Sequence, residues 1–367
     1  MVRSIAVAAL AVVCAASVPA SAAARDFKWT GAGDGSWSSG SNWAGGVAPS
    51  GSVGALKFPK LGGGCSVTQQ SPHACYSSDN DVHGLTADSM SLEDSRGYAL
   101  FGNALTLGAG GLKAAPASSQ CPCGLTGLFL PIVLGADQAW SIDGEFGVTV
   151  GGKVTGRPHS LEIDLGEGSS ATLGDVEVGP VKVTGKTAPH SLPPSLVLER
   201  RNSRSELNGV DGQPVHVAGS FLSASNAAVG SLTTDNAVVS AMGANPPGKL
   251  AVNGSVRLDS RGEILTYVSR SGTKAGKDYW QLRAGGPVHL GHAHLVLSVS
   301  NSKGFGPDQP CPKLDKGTVE TLIKTKRLLK GRFVGIHDKD KATITCAGKQ
   351  PKVRIHYKKH SVTAKVV

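Results

Sequence analysis

Two groups of side chains have types and spacings suited to chemistry. Glu162 and Asp164 stand two apart in Leu161-Glu-Ile-Asp-Leu165, and Asp175 and Glu177 repeat that spacing thirteen residues later. On a strand, residues two apart share a face. If the two runs were neighbours, four carboxylates would gather. Such a cluster suits Ca²⁺ binding, or an acid and a base for glycoside cleavage. The interleaved apolar residues (Leu161, Ile163, Leu165, Val176, Val178) instead turn these carboxylates toward water. The second group is His289-x-x-His292-x-His294. His292 and His294 fit one strand face at a spacing compatible with a metal. No acidic residue lies nearby in sequence to complete that site, so a surface or half-buried pair is expected and no metal. There is no G-x-S-x-G elbow, phosphate loop or dinucleotide fingerprint, since Gly31, Gly33 and Gly35 open no helix. The sequence therefore calls for no cofactor and no catalytic residue, with Glu162, Asp164, Asp175 and Glu177 as the candidates if there is catalysis.

A third feature is charge. The chain carries 37 Lys+Arg and 27 Asp+Glu, a net +10. From 303 onward there are sixteen Lys or Arg against five Asp or Glu, so the whole excess sits in the last stretch. Within it, Thr325-Lys326-Arg327-Leu328-Leu329-Lys330-Gly331 follows the X-B-B-X-X-B-X pattern of sulfated-polysaccharide binding, and Lys324 and Arg332 extend it. Clustered cations raise the local potential and attract polyanions in a salt-dependent way. An anionic polysaccharide or cell-wall polymer is the expected partner, against the plainer reading of solvated surface lysines. Aromatics are sparse there (Phe333, Tyr357), so stacking on nucleic-acid bases has little support.

Residues 1–24 read as a signal peptide. Arg3 precedes an apolar run from Ile5 to Val18, then Pro19 and the small residues Ala20-Ser21-Ala22. That run is shorter than the roughly 20 residues a membrane-spanning helix needs, and no later run is longer. The expected location is secreted, extracellular or at the cell surface. The remaining cysteines, Cys65, Cys75, Cys121, Cys123, Cys311 and Cys346, are even in number, which in an oxidising compartment favours disulfides. Cys65–Cys75 would staple a short loop and Cys311–Cys346 would tie the C-terminal region to itself. Cys121 and Cys123 flank Pro122, where a bridge would be strained. Zinc is the competing reading for them, without the usual spacing.

These groups must be carried by strands. From about 80 to 300, short alternating runs end at Gly, Asn or Asp and begin again. Examples are Leu105-Thr-Leu107, Val148-Thr-Val150, Val181-Lys-Val183, Val215-His-Val217, Leu250-Ala-Val252 and Leu295-Val-Leu297. Helical periodicity is nearly absent and the strand runs recur too closely for intervening helices, which excludes a βαβ fold. A sandwich or barrel competes with a parallel solenoid. Gly-terminated strands running on without a change of composition favour the solenoid, with rungs of roughly 20–25 residues and on the order of ten coils.

Residues 29–43 read W-x-G-x-G-D-G-x-W-S-x3-N-W, followed by Pro49-Ser-Gly51. This resembles the N-terminal segment of bacterial autotransporter-type passenger β-helices and their secreted relatives. The stretches Leu105–Leu112, Pro131–Trp140 with Gly151–Gly156, and Gly317-Thr318 through Val362-Thr363 resemble the same group. The resemblance implies a right-handed parallel β-helix at or beyond the cell surface, with no shared catalytic residues. It implies a Trp-rich N-terminal cap over 25–60, a body over 61–302 and a basic β cap over 303–367. The sequence departs from it at Val367, with no membrane-barrel strands, so self-secretion is not expected. The expected role is surface contact, as an adhesin, matrix or envelope component. A polysaccharide lyase or glycoside hydrolase on the same scaffold is the alternative.

Overall fold

Leu161, Ile163 and Leu165 are buried while Glu162 and Asp164 between them reach solvent; one coil on, Val181 and Val183 are buried and Lys182 is exposed. That alternation builds the wall of the protein. Inward positions carry Val, Leu and Ile, whose burial contributes about 1.5–3 kcal/mol each, and outward positions carry the polar set. The computed structural model describes residues 24–62, 76–94, 97–115, 125–144, 147–185, 195–199, 210–240, 248–268, 274–301, 304–305, 309–348 and 350–367. The segment read as a signal peptide lies almost wholly outside them. So do Cys65, Cys75, Cys121 and Cys123.

The described chain is all-β, with a large and mostly parallel sheet and no α-helix. Among the described residues no helix is long and apolar enough to cross a membrane. Three short strands make one circuit, for example Val154–Thr155, Leu161–Leu165 and Ser170–Leu173. The next circuit stacks upon it in register. Val154 lies against Val176, Leu161 against Val181 and Ala171 against Leu196. A strand meets its neighbour only after the chain has gone once around, so it returns in the same direction and the pairing is parallel. Most parallel sheets are covered on both faces. Here one face encloses the core and the other meets water, which is why parallel strands show the alternation usual in antiparallel ones. The strand runs named from the sequence all lie in these strands.

One inward column shows the stacking. It runs Leu161, Val181, Val215, Leu232, Val256, Val288 and Leu329, each opposite the next. The circuit from Trp140 to Ile163 is close to the expected rung length. Others depart from it: Val215 to Leu232 is short and Val288 to Leu329 is long. Strand pairing is kept while the connecting segments vary, and the register itself shifts between Val210 and Pro214, so the period is blurred in sequence. At one corner the backbones approach so closely that only glycine fits. Gly254 N–H donates to Gly230 O, Gly286 N–H donates to Gly254 O at 2.7 Å, and a Cβ on Gly254 would lie 2.7 Å from Gly230 O.

The two ends differ from the middle. Near the start, Trp29, Trp37 and Trp43 are buried together, with ring centroids 5.0 Å apart for Trp29–Trp43 and 6.0 Å for Trp37–Trp43, both edge-on. Phe58 packs against all three and continues to Tyr98. Two of the indole N–H groups are tied down: Trp37 donates to Ser78 Oγ at 3.0 Å and Trp43 to Trp37 O at 2.8 Å. At the other end the pairing becomes antiparallel. Val319–Thr325 pairs with Ser361–Val366, which pairs with Lys352–Lys358, which pairs with Lys341–Thr345. Cys311 and Cys346 are bonded there, with Cα atoms 5.1 Å apart, as the sequence pairing expects.

Candidate functional site

The outward residues next to the inward column form a second column. It runs Ala139, Glu162, Lys182, His216, Thr233, Arg257, His289 and Lys330, each opposite the next. Adjacent strands are about 4.8 Å apart, so this is a ladder of side chains rising at that interval. Its acidic member is near one end and its cations gather toward the other. A parallel ladder on the neighbouring face places Arg283 opposite Lys324.

The two faces meet at a corner built by Thr325, Lys326 and Arg327. Thr325 is buried; its hydroxyl donates to Gly286 O and accepts the Arg327 N–H at 3.0 Å. Lys326 N–H donates to Ala284 O at 3.0 Å. These bonds fix the turn on the coil beneath and leave the Lys326 and Arg327 side chains exposed. Around the corner, an open hollow of about 550 Å³ is lined by His289, Lys326, Arg327, Lys330, Lys359 and His360. On the other side a smaller one of about 280 Å³ is lined by Lys249, Arg283, Lys324 and Lys326.

The basic motif is thus split over two faces. Lys324 belongs to one, Arg327 and Lys330 to the other, and Lys326 serves both. Arg332 lies past the corner, where its charge acts on Tyr357. Sequence spacing missed Arg257, Arg283, His289 and Lys359 as members. Arg257, Arg283 and His289 lie before the basic stretch begins, and only strand register brings them to it.

The four candidate carboxylates are not brought onto neighbouring strands. Glu162 and Asp164 pair with Lys182 and Thr184, while Glu177 pairs with Thr155 on a different face of the coil. Glu162 forms an ion pair with Lys182 and holds that ammonium above its usual value through their hydrogen bond. Asp164 accepts from the Thr184 hydroxyl. Glu177 lies 2.8 Å from Lys153 Nζ, and Asp175 is exposed.

The three histidines also separate. His292 occupies a turn with φ +63°, ahead of the His294–Asn301 strand, so it does not share a strand face with His294. His294 stands opposite Glu263, whose carboxyl is raised by burial and lowered by that histidine. Among the described residues no group of three His, Cys, Asp or Glu is arranged to hold a metal.

No family model matches the chain, and no curated protein matches it.

Proposed function

We propose that this is a secreted or cell-surface β-helical protein that acts by surface contact and binds polyanions through its C-terminal basic corner. The carrying observation is the ladder Arg257–His289–Lys330, joined at the corner by Lys326, Arg327 and Lys359. Cations at strand spacing on a rigid wall suit an extended anionic chain lying along the coil axis, because the backbone that carries them is already ordered by strand pairing before binding. Anionic polysaccharide or cell-wall polymer is the ligand class.

In this reading the solenoid is a right-handed parallel β-helix of the autotransporter-passenger kind. The tryptophan cluster would lid its first coil and the antiparallel strands would plug its last. A bare coil end exposes unpaired strand edges that recruit other chains, and buried aromatic rings at one end with a hairpin at the other both answer that need. Export is supported by the n-region and apolar run of residues 1–24.

The test is retention of the mature protein on immobilised heparin at low salt. The wild type is expected to bind and to elute with salt. The variant Arg257→Ala/Arg327→Ala/Lys330→Ala is expected to elute earlier, with a salt slope lower by about one per cation removed. Passage of the wild type without retention, or coincident elution of the two, would overturn the proposal.

A further inference from the structure

The antiparallel end of the molecule carries a second concentration of charge that the basic motif does not include. Lys341 stands directly opposite Arg354, and Arg354 directly opposite Lys365. Three cations therefore form one row across three adjacent strands. Val353, Ile355, Ala364, Val366 and Ile344 point inward on those strands and are buried, so the row faces out. Lys316 and Lys352 flank it, and Pro351 and Val367 form part of its wall, in an open cleft of about 800 Å³. Among the described residues, no carboxylate is paired with any of these five cations.

Like charges directly opposite one another on a sheet are destabilising. Their neighbours could have been placed to neutralise them, as Glu162 neutralises Lys182, and are not. A row held against its own repulsion is stabilised by an anion that bridges it. We infer that this cleft is a separate binding site for a linear oligoanion carrying tandem phosphate or sulfate groups. Strand spacing sets the backbone positions that carry the three charges about 5 Å apart, which suits successive oxyanions better than a single small ion. The planar Arg354 fork sits in the middle, where it can take one oxyanion in a bidentate manner, with a lysine on each side as a point charge. The site does not rest on the corner ladder. The cleft lies on other strands, and it stands even if heparin is not retained there.

Isothermal titration with tripolyphosphate, and in parallel with a fully sulfated heparin tetrasaccharide, tests the site in the full mature chain. Two variants are compared: Arg354→Ala/Lys365→Ala in the cleft and Arg257→Ala/Lys330→Ala on the ladder. The wild type is expected to bind at least one probe. The cleft variant should lose about tenfold or more in affinity for it, the size expected for losing charge-assisted bonds, while the ladder variant keeps it. Which probe binds separates a phosphate-bearing from a sulfate-bearing ligand. Without ligand, Lys365→Ala should melt no lower than the wild type, because it relieves repulsion. Absence of binding to both probes, equal binding by the cleft variant and the wild type, or a lowered melting temperature for unliganded Lys365→Ala would overturn the inference.

Discussion

Glu320 and Asp278 are two carboxyls buried at the C-terminal end of the coil, close enough for the charge of Asp278 to act on Glu320. Burial is the larger cause and the neighbouring carboxylate the second, and together they push Glu320 up to about 8 from an ordinary 4.5. Its Oε1 has no hydrogen-bond partner among the described residues. Asp278 is held by the Lys274 N–H at 2.9 Å, and the nearby Tyr279 hydroxyl is occupied with Thr321. Glu320 is therefore a neutral acid in the fold at neutral pH. The unfolded chain binds fewer protons than the folded one between 4.5 and about 8, so stability is full below that window and falls as pH rises through it. The slope from this one group is at most about 1.4 kcal/mol per pH unit. Glu320→Gln should remove it. Denaturant unfolding at pH 5, 6.5 and 8 should show the variant gaining on the wild type as pH rises; parallel profiles would refute the assignment.

The tryptophan cluster makes a second prediction. Trp37→Phe keeps most of the ring but leaves the buried Ser78 hydroxyl without its indole donor. The expected cost is about 1–3 kcal/mol. Trp37→Ala also opens a cavity among Trp43, Phe58 and Ser78, and should cost about 3–5 kcal/mol. Chemical denaturation of both variants checks the order. Equal losses would mean that ring packing at this site adds nothing measurable beyond the hydrogen bond.

The architecture was legible because its cause is local. Leu161-Glu-Ile-Asp-Leu165 announces one inward and one outward face whatever lies next to it. Which residues stack was not legible, because register depends on the length of connections that carry no constraint of their own. Arg257, His289 and Lys330 lie far apart at unequal intervals, and no spacing rule joins them. The same cause defeated the carboxylate cluster: Glu162 and Glu177 are near in sequence, yet the coil turns a corner between them. The antiparallel row Lys341–Arg354–Lys365 was hidden for a related reason, since a charge-rich stretch gives its total but not its pairing.

At the glycine corner, Gly254→Ala is expected to destabilise the protein. The new Cβ would lie 2.7 Å from Gly230 O and 3.4 Å from Ser231 Cβ, and the first contact is with backbone that cannot rotate away. Moving two coils apart weakens the Gly230 and Gly286 hydrogen bonds on either side, for a cost of about 1–3 kcal/mol. Gly62→Ala is the control, because nothing lies within 4 Å of a Cβ there. It should change stability by less than about 1 kcal/mol, and toward gain. Thermal melts of the two variants decide the matter; similar shifts would remove the close-approach argument.

The Cys311–Cys346 bond closes a segment with a sequence separation of 35. That segment includes the Val319–Thr325 strand, the basic corner and the Lys341–Thr345 strand. Cys311 N–H also reaches Ala347 O at 3.4 Å, so backbone contact and the covalent link act at the same place. Replacing both cysteines by serine should cost about 2–4 kcal/mol by releasing the unfolded chain. The effect should be uneven along the molecule. Hydrogen exchange should rise most in Lys352–Lys358, which pairs only with the two terminal strands, and also in Lys341–Thr345, which has one parallel contact with the His294–Asn301 strand, and stay unchanged in coils such as Leu161–Leu165. Lys341 rides on the first of these strands, so the double variant should also weaken oligoanion binding in the cleft while leaving heparin retention at Arg257 and Lys330 less affected. Uniform exchange along the chain would show that the bond does not hold this end as a separate unit.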